Sequence, residues 1–217
     1  MEKTMEELVL LCYDALTVMI PTVVLSLLFY RKKKNHDYCV SRWWLMLVIL
    51  FGLYLFGMFH ITGAGTLYDA IRYGLDLNSN QINLIPFSSD MMEPFVFLTH
   101  TVLNIVLFLP FGFLAPLLWD RYEKPWRLII AGFIVIALIE FSQLLNHRST
   151  DIDDVILNIC GTICGVLVFK LIFRYKKLNL SGRIDGKTEM MILVMVTFLC
   201  HFLAFDEMGA ARMLYGF

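Results

Sequence analysis

Glu140 and Gln143 lie three residues apart in IALIEFSQLLNHR and so share one helical face, while Asp151, Asp154 and Asn158 follow at i, i+3 and i+7 in STDIDDVILNICGTICG. His100 and Asn104 add a third face at i, i+4, just ahead of LFLPFGFLAP. All three sets sit in otherwise apolar stretches, where an ionisable group is costly and faces a bundle interior or a wet cavity. Crowded carboxylates in such a place cannot all ionise comfortably, so one can hold a proton and act as acid or base. Glu140 is the first candidate for that role, with Asp151 and Asp154 as the other candidate catalytic groups. Arg148 could balance the acids, or grip a phosphate or carboxylate with two parallel hydrogen bonds. The candidate ligand-binding residues are Asn83, His100, Asn104, Gln143, Arg148, Asp153 and Asn158.

Each of these residues also has a plain structural reading. Asp151 can cap the helix that follows it, and Glu140 and Arg148 can simply neutralise each other. Carboxylates suit hard cations, but Asp151, Asp153 and Asp154 match no specific metal spacing, and neither a metal nor a cofactor is expected. Asp14, alone in the first apolar block, reads as a cross-helix hydrogen-bonding residue. His60, His147 and His201 are scattered over several elements and do not by themselves make a metal site.

The elements that must position these groups are set by hydropathy. The chain has 217 residues, 59% hydrophobic and 17% charged, with a formal net charge of -1. Its mean hydropathy is +0.69, which excludes an ordinary water-soluble globule, and the absence of a basic surplus argues against a nucleic-acid partner. The apolar residues fall in blocks near the ~20 residues that cross a bilayer. Six spans are expected, Leu8 to Tyr30, Trp43 to Thr62, Val96 to Trp119, Leu128 to Leu145, Val155 to Phe173 and Thr188 to Phe205, with five as the alternative because the last is short. Each must be helical, since lipid offers the backbone no partners. The expected class is therefore an all-α polytopic membrane bundle. Residues 1–62 form two N-terminal spans with a basic loop, 63–173 an outer loop plus three spans, and 174–217 a basic loop plus the last span.

Lys and Arg in short loops are retained inside. They cluster after spans one (Arg31, Lys32, Lys33, Lys34, Arg42), three (Arg121, Lys124, Arg127) and five (Arg174, Lys176, Lys177, Arg183, Lys187). The alternating segments hold only Lys3, Arg72, Arg148 and Arg212. Both termini are therefore expected outside, and the polar faces of spans three, four and five converge near the outer surface. Pro21, Pro110 and Pro116 are expected to kink their helices. Gly63 to Phe95 is too long for a simple connection. Its TLYDAIRYGLDL reads as an amphipathic helix carrying Leu67, Ile71 and Leu75, and its QINLIPF as an apolar patch packed on the spans. No CxxC pair occurs, and Cys160 and Cys164 read as small hydrophobes.

Four linked motifs resemble the VanZ-like family of bacterial membrane proteins: NLIPF (Asn83 to Phe87), NIVLFLPFGFLAP (Asn104 to Pro116), IEFSQ (Ile139 to Gln143) and RSTDIDDVILNICGTICG (Arg148 to Gly165). The resemblance covers roughly residues 83 to 170. By position it carries over Asn83, Pro86, Asn104, Pro110, Gly112, Glu140, Gln143, Arg148, Asp151, Asp153, Asp154, Asn158, Gly161 and Gly165. It implies a multi-pass protein of the bacterial plasma membrane, and the family's named member is associated with low-level resistance to the glycopeptide teicoplanin. The family supplies no catalytic mechanism. Three functions are compatible with the residues: an outward-facing factor that binds or shields a lipid-linked cell-envelope precursor, with membrane lipids as its other partners; an intramembrane enzyme on a lipid-linked or phosphate-bearing substrate, with Glu140 as base and Arg148 as anion clamp; and a small proton-coupled transporter. No GxxxxGK[ST] loop is present, so direct ATP drive is excluded, and no internal repeat supports the transporter.

Overall fold

The structure is a computed structural model that describes residues 2–35, 41–67, 71, 82–86, 94–145, 150–176, 186 and 188–203. Six helices account for most of them: α1 (Glu2–Asn35), α2 (Arg42–Thr62), α3 (Pro94–Leu118), α4 (Pro125–Leu144), α5 (Ile152–Lys176) and α6 (Glu189–Leu203). Five are long and apolar enough to cross a bilayer: Leu8–Lys34, Arg42–Thr62, Phe95–Leu118, Pro125–Leu144 and Ile152–Phe173. The chain is thus a multi-pass helical membrane bundle with five such helices. The expected sixth span appears as the 15-residue α6. At 1.5 Å per residue it reaches about 22 Å, short of a ~30 Å hydrocarbon core.

The helix ends follow local chemistry. Ser41 caps α2 by accepting from Trp44 N at 3.2 Å, and Gly63 ends it in the left-handed region at φ 66°, which a residue with a Cβ rarely adopts. Pro125 opens α4 at its first turn, where no intrahelical donor is needed. Pro21, Pro110 and Pro116 lie inside helices that run on through them. Tyr54 Oη donates to the Leu107 carbonyl at 2.6 Å, beside the stretch where Pro110 withholds a donor.

Packing is set by small residues on facing helices. The closest pair is α3 with α5. A methyl on Gly112 would overlap the Thr162 carbonyl, one on Gly161 the Ile105 carbonyl, and one on Gly165 the Leu109 carbonyl. Small residues of this kind let membrane helices approach backbone to backbone. Helix α1 packs on α2 and α6 through Asp14, Val18, Thr22 and Ser26, with Thr22 Oγ1 3.3 Å from Thr197 Oγ1, and presents Leu16, Ile20, Val24 and Leu28 outward. An aromatic and aliphatic core around Phe51, Phe59, Phe108, Phe111 and Trp119 ties α2, α3, α4 and α6 together.

At one end of the bundle, Lys33 and Glu189 form a buried ion pair at 2.6 Å, and Trp44 Nε1 donates to the Leu118 carbonyl at the end of α3 at 3.1 Å. At the other end, Ile82–Asn83 (β1) pairs in parallel with Thr150–Asp151 (β2), which draws the α2–α3 connection onto the start of α5. Of the amphipathic helix expected in that connection only Thr66, Leu67 and Ile71 are described. Leu84, Ile85 and Pro86 of the apolar patch are exposed, and Phe87 lies outside the described residues. Cys160 and Cys164 are exposed on α5 rather than buried.

Candidate functional site

At the β1–β2 end, α2, α3, α4 and α5 line an open cavity of about 510 Å³. Its polar lining comes from His100 and Asn104 on α3, Glu140 and Gln143 on α4, and Asp154 and Asn158 on α5, all at the spacings that place them on inward faces. Six of the ten candidate residues thus meet in one place.

The lining is organised around two internal hydrogen-bond systems. Asp154 Oδ1 accepts from Asn104 Nδ2 at 2.6 Å and lies 3.1 Å from His100 Nε2, while Asn104 Nδ2 is 3.2 Å from that same nitrogen. Gln143 Nε2 donates to the Thr62 carbonyl at 2.8 Å. That carbonyl lies in the last turn of α2, where intrahelical donors have run out. Ser142, beside Gln143, accepts from Gly65 N at 3.1 Å and donates to the Ile139 carbonyl at 2.7 Å. The two systems leave three oxygens unused. Glu140 Oε2, Gln143 Oε1 and Asn158 Oδ1 are buried with no hydrogen-bond partner among the described residues. Their residues are 7%, 9% and 4% exposed, and a buried polar atom left unpaired costs roughly 1–3 kcal/mol.

The remaining candidates are placed elsewhere. Asp151 sits on β2, where its Oδ1 accepts from Asp153 N at 3.2 Å and its Oδ2 from Asn83 Nδ2 at 3.3 Å. It therefore caps α5 and anchors the α2–α3 connection, and it does not line the cavity. Asn83 serves that anchor from β1, and its own Oδ1 accepts from Ile85 N at 3.2 Å. Asp153 is buried but is not among the residues that line the cavity, one residue out of phase with Asp154. Arg148 and His147 lie outside the described residues.

Two features were not read from the sequence. Thr62 joins the site through its backbone carbonyl, for which the only available signal is the glycine that ends α2. Asp14, His60 and His201 also gather, with Asp14 Oδ2 3.6 Å from His60 Nδ1 and Asp14 Oδ1 3.6 Å from His201 Nδ1. These separations exceed a hydrogen bond, so the cross-helix bond expected of Asp14 is replaced by a looser meeting of α1, α2 and α6. His201 Nε2 instead contacts the Ala64 carbonyl at 3.2 Å.

The sequence model of the VanZ/LLP1 family matches residues 43–174, more than half of the chain. The chain belongs to the VanZ/LLP1 family. No curated protein and no solved structure matches it. The VanZ/LLP1 stretch contains every described residue that lines the cavity, whereas α1 and α6, with Asp14 and His201, lie outside it.

Proposed function

We propose that this VanZ/LLP1 protein is a cell-envelope factor of the bacterial plasma membrane whose cavity faces outward and receives the headgroup of a lipid-linked envelope component. Occupancy would shield that component and lower the access of a lipidated glycopeptide such as teicoplanin. The observation that carries this reading is the cavity itself: about 510 Å³, within the range of organic-ligand sites, with a polar lining from His100, Asn104, Glu140, Gln143, Asp154 and Asn158. The positive-inside distribution of Lys and Arg supports the outward orientation. Membrane lipids supply the surroundings of the site, and no feature calls for nucleic acid.

The test is teicoplanin susceptibility in cells expressing Glu140→Gln, Asn158→Leu and the parent chain at equal membrane abundance. The binding reading expects Asn158→Leu, which removes an acceptor and adds bulk, to lose the protective effect. Parent-like protection by both variants would refute the role of the cavity. The enzyme reading, with Glu140 as general base, differs in one respect: Glu140→Gln alone should then abolish the effect completely.

A further inference from the structure

A second, smaller hollow of about 200 Å³ lies at the other end of the bundle, where α3 turns into α4. Arg121 from the short turn Asp120–Glu123, Trp126, Arg127, Ile130 and Ile134 from α4, and Met191 from α6 are in its lining. Arg127 and Glu140 stand at opposite ends of α4, about 20 Å apart at 1.5 Å per residue, so this hollow is separate from the cavity. Its charged lining has one sign. Asp120 and Glu123 flank Arg121 within the turn but do not line the hollow, and neither arginine forms an ion pair with an acid among the described residues. The Trp126 ring lies 5.1 Å from Arg127 Cζ, a stacking that restricts where the guanidinium fork can point. Deeper along the helix the surface is hydrocarbon. Trp126, Ile130 and Ile134 follow at i, i+4 and i+8 and are exposed at 58%, 51% and 38%.

We propose that this hollow holds the phosphate headgroup of an anionic phospholipid, whose acyl chain lies along Trp126, Ile130 and Ile134. Charge complementarity selects the headgroup, because a guanidinium matches a phosphate with two parallel hydrogen bonds. Size selects a lipid. About 200 Å³ is below the ~300–1,000 Å³ of sites that take up a whole organic ligand, so most of the occupant must lie outside the hollow, on the apolar strip. Depth agrees, since the hollow sits where α3 ends and α4 begins, and tryptophan at such a boundary lies at headgroup level. A zwitterionic lipid offers the same phosphate but brings its own ammonium, which offsets the attraction to the arginines. Basic pockets between membrane helices are a recurrent form of anionic-headgroup site. On the positive-inside distribution this end faces the inner leaflet, whose negative surface attracts Lys and Arg.

The experiment uses the full chain in a neutral detergent and follows retained lipid by native mass spectrometry during titration with dioctanoyl phosphatidylglycerol or dioctanoyl phosphatidylcholine. Phosphatidylglycerol is expected to bind about tenfold more tightly, the equivalent of one charge-assisted hydrogen bond. The double variant Arg121→Gln/Arg127→Gln should erase that preference. Arg127→Lys, which keeps the charge and the fold but not the fork, should lose about threefold of it. Ile130→Ser should weaken both lipids alike. Lys124→Gln is the control, because it removes the same charge from an exposed neighbour that does not line the hollow, and it should leave the preference intact. Equal binding of the two lipids by the parent chain would overturn the proposal. So would an equal loss in Lys124→Gln and Arg127→Gln, which would reduce the effect to diffuse attraction by the basic end of the bundle. Complete displacement of phosphatidylglycerol by millimolar inorganic phosphate would assign the arginines to a free anion and overturn the lipid.

Discussion

Gly161→Ala isolates the contact that holds α3 and α5 at the separation the cavity needs. A Cβ at Gly161 overlaps the backbone carbonyl of Ile105, which cannot rotate aside as a side chain would. Restoring van der Waals separation requires the two helices to part by about 1 Å. Ile105 adjoins Asn104, and that parting stretches the 2.6 Å Asn104–Asp154 hydrogen bond beyond useful range. Overpacking costs about 1–3 kcal/mol, and loss of a hydrogen bond to a charged group a further ~1.5–3 kcal/mol, against about 1 kcal/mol gained in helix propensity. A net loss of about 2–4 kcal/mol is expected. Gly57→Ala is the matched control, because nothing lies within 4 Å of its added methyl, and it should be neutral or stabilising by up to about 1 kcal/mol. Both variants would be unfolded by titration with dodecyl sulfate in mixed micelles, followed by tryptophan fluorescence and circular dichroism. Stabilities for the two that agree within about 0.5 kcal/mol would refute the backbone-contact account.

Three further outcomes can be checked independently. Asn104→Leu should cost about 1.5–3 kcal/mol in the same assay, and a double-mutant cycle with Asp154→Leu should return a coupling of at least ~1 kcal/mol; zero coupling would mean that the two side chains are independent. Lys33→Met, which leaves Glu189 without its buried partner, should destabilise by about 3–5 kcal/mol, whereas the double variant Lys33→Met/Glu189→Leu should recover most of that loss. In a chain whose native cysteines are replaced by serine, Arg148→Cys should react with a membrane-impermeant maleimide in intact cells, and Lys124→Cys only after lysis; the reverse pattern would invert the proposed orientation.

The convergence of α3, α4 and α5 was legible because helical spacing is rigid. Glu140 with Gln143, Asp154 with Asn158, and His100 with Asn104 each recur at three or four residues, which fixes a face before any packing is known. Alternation of spans then brings the three faces to one depth. Asp151 and Asp153 fell out for the same geometric reason. Asp151 precedes the helix, so it has no helical face and caps instead, and Asp153 is turned by one residue, about 100° on a helical wheel, from Asp154. The length of α6 was less legible, since an apolar run does not reveal where its helix begins. The Thr62 carbonyl was invisible to side-chain patterns altogether, because backbone acceptors carry no residue signature.

A short segment after α2 connects the family-specific and flanking parts of the molecule. The Thr62 carbonyl holds Gln143, Gly65 N holds Ser142, and the Ala64 carbonyl meets His201. Two of these bonds run to α4 within the VanZ/LLP1 stretch and the third to α6 outside it. The bend that allows all three is the left-handed Gly63, which turns successive backbone groups in different directions. The described lining of the cavity therefore comes from the family's own helices, and α6 meets the backbone of this turn through His201.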